Sequence, residues 1–329
     1  MASIVRDPAS MGKRVAASEW LPHASHVFGG IATRSGVLFL ARGAGSSRVY
    51  VVDVRDPLAP ALQRVLPLPR VGSRPAAPAG IAVGPTFGIY VADPSARLVH
   101  ALSLFGAPIG SVGTPAPAGL PVSPDRRGLL AEPVDVAVDR SGNVYVCSAG
   151  GPRRYAVLKY ARDGRYLGSF RSFGVPEETF SSPRSLAVSD ANLFVADTGN
   201  GCVQVFGRNG SFRFAFSTTA TAGEWSKPMG IALERSCEIL VLSQGDEPSL
   251  RRFSPGGELR ETILRGHWIE APVAVAAGDD GTLFVLDQDG DRLRSFTPQG
   301  EFLTDLISVL EATPPTLGVP PGASYGRPL

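Results

Sequence analysis

The sequence is poor in the residue types that most often mark a site. Its 329 residues include only three cysteines, four histidines and three lysines (Lys13, Lys159, Lys227). Cys147, Cys202 and Cys237 form neither an even-numbered framework nor a CxxC pair. That pattern excludes a disulfide scaffold and reads as reduced thiols in a cytoplasmic protein. No run approaches 18 apolar residues, and the opening MASIVRDPASMGKRVAASEW has no apolar core, so neither a membrane helix nor a secretion signal is expected. A formal net charge of +2 leaves no basic excess for a dedicated nucleic-acid surface. Missing too are a GxSxG elbow, a P-loop and a GxGxxG between strand and helix. Basic residues are otherwise arginine, a bias that fits a GC-rich bacterial genome and says little about function.

Glycine (38) and proline (29) are abundant and spread along the chain, as many short strands joined by tight turns require. The chain also repeats. A branched aliphatic followed by alanine recurs as Ile31-Ala32, Ile81-Ala82, Val136-Ala137, Leu186-Ala187, Ile231-Ala232 and Val275-Ala276, with the alanines 50, 55, 50, 45 and 44 residues apart. A proline stands three residues ahead of the aliphatic in five copies, and Phe28 takes that place in the first. A second apolar run follows each pair, as in GIYVAD, NVYVCS, NLFVAD and TLFVLD. A third strand, a turn such as RDG, RNG, PGG or PQG, and an amphipathic fourth strand complete the unit. Four short strands per unit predict antiparallel meanders. One meander cannot cover both its faces, whereas six around an axis can, so an all-β, six-bladed β-propeller of four-stranded antiparallel blades is expected.

The pattern P-x-G-I-A, then L-F-V-A-D-T-G-N, then V-Q-V-F resembles the NHL-repeat β-propeller family, most closely at residues 183–206. The resemblance implies blades at about 26–70, 75–113, 129–174, 180–220, 225–266 and 269–310, within a propeller over 26–310. It places the first strand of each unit innermost, where the paired alanines are expected to suit the crowded axis. It also places the loops entering strand one and those joining strands two and three on one rim. Residues 1–25 are expected to lend a strand, KRVAASEW, to the last blade and so help close the ring. The 113–128 stretch reads as a long surface loop, and 311–329 as a proline-rich tail.

Candidate chemistry is sparse. A lyase group of this superfamily binds metal through histidines, so His23, His26 and His267 with Glu270 nearby form a candidate zinc set; the plainer reading is scattered surface histidines. His100, inside LVHALSL, is expected to be packed in a strand. Six-bladed lactonases hold a divalent cation such as calcium in the channel. The inner positions here are Gly30, Gly80, Asp135, Ser185, Gly230 and Ala274, so Asp135, with Glu132 ahead of it, supplies carboxylates from one blade only, short of an oxygen cage. Asp135 is expected instead to bond backbone or water. Basic residues of the predicted rim (Arg42, Arg97, Arg153, Arg154, Arg184, Lys227) fall mostly in the first four blades. Acidic ones (Asp246, Glu247, Glu270, Asp287) fall in the last two, a polarity that could orient a partner.

These observations favour a non-enzymatic protein-interaction scaffold without cofactor, a subunit of a larger assembly. Relatives of the repeat occur beside phage-tail-like injection machinery, one home the resemblance suggests. Its contacts would be rim loops, the 113–128 loop or the tail. The alternative is a metal-dependent lyase or lactonase at the channel mouth, using Glu132, Asp135 and His267. RNA binding, known for some relatives, asks for a more basic face.

Overall fold

The computed structural model describes residues 28–42, 47–72, 75–86, 88–116, 128–149, 155–170, 180–220, 224–287, 292–307 and 310. Six four-stranded antiparallel sheets follow one another, each in simple sequence order, over 28–67, 80–112, 132–170, 183–217, 226–265 and 272–305. The first strands, Phe28–Arg34, Gly80–Val83, Glu132–Val138, Pro183–Val188, Ser226–Leu233 and Pro272–Ala277, contact one another in a closed ring. The chain is a six-bladed β-propeller. Among the described residues no helix is long and apolar enough to cross a membrane.

The repeated aliphatic-Ala pair is what joins the blades. Successive side chains on a strand point to opposite faces, so the two members of a pair enter different cores. Ala32 packs with Ile81 between blades 1 and 2. Ala82 meets Val136, Ala137 meets Leu186, Ala187 meets Ile231 and Ala232 meets Val275 at the next four junctions. Ala276 and Ile31 close the ring between blades 6 and 1. Each junction thus takes one large and one small side chain from neighbouring first strands. This corrects the expectation that the alanines serve the axis: they face the following blade. The residue facing the channel is the one before the aliphatic.

Two local devices recur. In five blades strand one carries a bulge just after its proline or Phe28, as between Pro183 and Ser185, and the bulge re-aims the channel-facing residue. In blades 2 to 6 the turn before strand four closes on glycine: Gly210 adopts φ 96°, and its N–H reaches the Gly207 carbonyl at 2.9 Å. Only glycine occupies such a conformation without strain.

Ring closure has polar support beside its apolar core. Thr33 Oγ1 donates to the Ala277 carbonyl at 2.5 Å, and the Ser35 N–H donates to Asp279 Oδ2 at 3.0 Å. The sixth blade draws its four strands from 272–305; the strand expected from residues 1–25 lies outside the described residues, as does the tail 311–329. The roots of the 113–128 loop are held by a short parallel pairing of Thr114–Pro115 with Leu129–Leu130.

Candidate functional site

The first strands surround a narrow cavity on the axis, lined by Gly30, Gly80, Asp135, Ser185 and Ala274 and by the aliphatics that follow them. Its volume is about 70 Å³, room for a few water-sized groups. Asp135 is the acidic side chain in this wall. Its Oδ1 accepts the Val136 N–H at 2.8 Å, and its Oδ2 accepts the Leu186 N–H of the next blade, also at 2.8 Å. Ser185 repeats the device more weakly, its Oγ accepting the Ile231 N–H of blade 5 at 3.2 Å. Asp135 touches the cavity yet lies deep in the ring. Burial pushes its carboxyl up to about 7, the two backbone N–H bonds and Ser185 pulling the other way. Burial also raises Glu132. The backbone bonding expected of Asp135 is present, together with a proton affinity that composition could not reveal.

His267 sits exposed in a short 3₁₀ turn, Gly266–Trp268, its ring 4.8 Å from the Trp268 ring. Glu270 is engaged by Arg292 at 3.2 Å, while its N–H binds Asp287 Oδ2 at 2.7 Å. Among the described residues no three His, Cys, Asp or Glu side chains are grouped to hold a metal ion. His23, His26, Arg153 and Arg154 lie outside the described residues.

His100 is fully buried in strand three of blade 2, and its Nε2 meets Asp93 Oδ2 at 2.8 Å. Burial alone would raise Asp93; the bonds from His100 and Ser95, with the His100 charge and the Ala77 N–H, outweigh it and hold the carboxyl below its usual value. Asp93, Asp197 and Asp287 share one role. Each stands at the end of strand two and accepts backbone N–H groups from the segment leading into strand one: Ala77, Ser181, and Glu270 with Ala271. These bonds put that segment and the loop between strands two and three on one rim. In the DTGN copy, Asn200 and Gln204 also bond Asp197, and Thr198 Oγ1 reaches the Pro228 carbonyl of the next blade at 2.6 Å. The motif is a joint. Cys147 likewise donates to the Pro183 carbonyl of blade 4, and burial pushes its thiol far above the usual value and that of Cys202 to about 12. Neither is a poised nucleophile.

On this rim Arg42 leans on the Tyr50 hydroxyl at 3.4 Å, and Arg97 holds the Ala116 carbonyl, at the root of the long loop, at 2.7 Å. Arg184 lies further in, on the cavity wall. Lys227, at the start of blade 5, has its ammonium 5.0 Å from the centre of the Trp225 ring. Burial, and then the charge of Arg184, lower the Lys227 ammonium below its ordinary value. Trp225 is 44% exposed, an unusual state for a tryptophan, and its backbone N–H donates to Asp246 Oδ2 at 3.0 Å. The repeat pattern does not single out Trp225. Its signal in the sequence is a lone tryptophan between strands, two residues before one of only three lysines.

Comparison with known proteins matches the NHL repeat to residues 180–206. The protein brain tumor of Drosophila melanogaster is 28% identical over 145 residues, 42% of this chain, and the chain spans only 14% of that relative's length. Among solved structures, virginiamycin B lyase from Staphylococcus aureus, with quinupristin, superposes with a TM-score of 0.59 at 14% identity, over 87% of this chain and 85% of the lyase. A nidogen/laminin complex contains a chain that superposes with a TM-score of 0.60 at 14% identity, over 82% of this chain and 92% of that one. Likeness at this level shows the fold, and the fold hosts a lyase and a nidogen/laminin complex alike.

Proposed function

We propose that this chain, an NHL-repeat six-bladed β-propeller, is a protein-interaction module that engages its partner with the rim carrying Trp225, Lys227 and Arg184. The observation that carries the reading is Trp225: a large exposed aromatic on a backbone anchored by Asp246, with a lysine ammonium against its ring. Tryptophan is among the residue types enriched at the positions that dominate interfaces when truncated. The chemistry suits a partner segment offering an acidic side chain beside an apolar one. Arg42 and Arg97 stand on the same rim, and with Arg153, Arg154 and the 113–128 loop they would extend the contact. The three cysteines, which form no disulfide, favour a cytoplasmic setting. Co-purification from source lysate with wild type, Trp225→Ala and Lys227→Glu tests this. A partner recovered with wild type and lost with both variants supports the interface; one recovered equally with all three removes it.

The second reading, a metal-dependent lyase or lactonase, draws on Asp135 and Glu132, whose carboxyls burial raises toward the range of a general acid or base. The described residues do not make a metal site: His267 leans on Trp268 and Glu270 is taken by Arg292. Elemental analysis of the purified full chain decides it. Stoichiometric zinc or calcium lost in His267→Ala or Asp135→Ala would favour the enzyme over the scaffold.

A further inference from the structure

The segment leading into strand one carries a recurrent apolar plug. Three residues ahead of the strand-one proline stand Leu130 in blade 3, Phe180 in blade 4 and Ile269 in blade 6. All three are buried, and each packs into the core shared with the preceding blade. In blade 5 the same place, three ahead of Pro228, holds Trp225. Among the described residues the core between blades 4 and 5 is built without it, and its side chain lies at the surface.

Glu224, one residue earlier, goes in instead. One of its carboxylate oxygens pairs with the guanidinium of Arg251, whose side chain is only 2% exposed, and the other accepts the Ala220 N–H at 2.7 Å. Arg251 also donates to the Thr218 carbonyl, at the end of blade 4, at 2.5 Å. On the same side Ser226 Oγ meets Thr218 Oγ1 at 2.9 Å. Glu224 and Ser226 thus both turn inward, and the residue between them points out, as alternation along an extended chain requires. The cause lies in strand three. Arg251 stands opposite Val241, the place that Leu158 takes opposite Val146 in blade 3. There Leu158 and the Leu130 plug share one apolar core. A buried guanidinium in that place demands a carboxylate, because an unpaired buried charge costs more than an aromatic ring left in water.

We propose that Glu224 and Arg251 are positioning residues for Trp225: their ion pair takes the place of the apolar plug and so holds the tryptophan out on the rim. The inference rests on the reading of Trp225 as the contact residue and names what presents it to the partner. Pre-set exposure of this kind spares the partner the work of drawing the ring out of a core.

The test needs no partner, so its outcome is separate from that of the lysate experiment. It uses the full chain with Trp20→Phe and Trp268→Phe, which leaves Trp225 as its one tryptophan, and reads the emission maximum and acrylamide quenching. Glu224→Ala combined with Arg251→Leu copies the Leu158 arrangement. Emission should shift to the blue and quenching should fall several-fold as Trp225 enters the junction. Arg251→Gln, which copies Gln204 at the matching place opposite Val195 in blade 4, frees Glu224 and should give part of the same change; it guards against failure of the double variant to fold. Arg251→Lys keeps a cation for Glu224 and should hold both readings at the parent values. Unchanged emission and quenching in the folded variants lacking the pair would overturn the proposal, because the pair would then serve stability alone. A blue shift in Arg251→Lys as large as that of the double variant would overturn it too, since charge pairing would not be what holds the ring out.

Discussion

His100 and Asp93 face each other at 2.8 Å with no solvent reaching either side chain. Two blades further round the ring, Gln204 makes the same contact with Asp197 at 2.8 Å, from the same position seven residues on. The shared geometry shows what the histidine is for: it donates to an aspartate that also holds the rim.

His100→Gln should therefore be tolerated, because blade 4 already uses glutamine there. His100→Leu keeps the volume but removes the donor to a buried carboxylate. It should cost about 1–3 kcal/mol, read as a lower denaturant midpoint with unchanged slope. Equal losses for both substitutions would mean that the ring, not the hydrogen bond, matters.

The large-small rule at the blade junctions makes a directional prediction. Leu186 packs against Ala137 between blades 3 and 4. Leu186→Ala should cost about 2–5 kcal/mol through the cavity it leaves. Ala137→Leu should also destabilise, by about 1–3 kcal/mol, since the facing strand cannot retreat without opening the ring. Equilibrium unfolding of the two variants checks both signs. A stabilising Ala137→Leu would show that the junction is underpacked.

Asp135 and Asp197 give the fold a pH dependence of definite sign. Burial, ahead of the opposing hydrogen bonds, raises them from an ordinary 3.8 to about 7 and about 6. Between those values the folded chain keeps protons that the unfolded chain has released. Their contribution is therefore fully present below about pH 4 and is lost as pH rises, through about 6 for Asp197 and about 7 for Asp135. Asp93 and Asp139, held low, act oppositely, and only as pH falls below about 4. Asp135→Asn should flatten the decline between about pH 5 and pH 7 relative to wild type, measured by urea unfolding across that range. Identical slopes would place the Asp135 carboxyl in a better-hydrated channel than its surroundings indicate.

The propeller was legible because its cause is periodic: the aliphatic-Ala pair, the proline ahead of it and the glycine turns recur in most copies. The aspartate of DTGN recurs as Asp93 and Asp287, which marks it as part of the repeat. The direction of the alanines was not legible. Crowding at an axis and crowding between blades ask for the same small residue, and only the strand's alternation in three dimensions separates them. The Asp135 bond to Leu186 spans 51 residues and leaves no mark in local pattern. Trp225 was missed because sequence gives a tryptophan no exposure. Its neighbours made it look like one more strand border.

The central claim is that the rim of Trp225, rather than the opposite face of the ring, meets the partner. A photo-crosslinking amino acid placed at position 225, and in a second protein at position 235 in the turn between strands one and two of the same blade, measures this directly in source lysate. The account predicts one discrete adduct from position 225, abolished by Lys227→Glu, and none from position 235. An adduct from position 235 with none from 225 would contradict it.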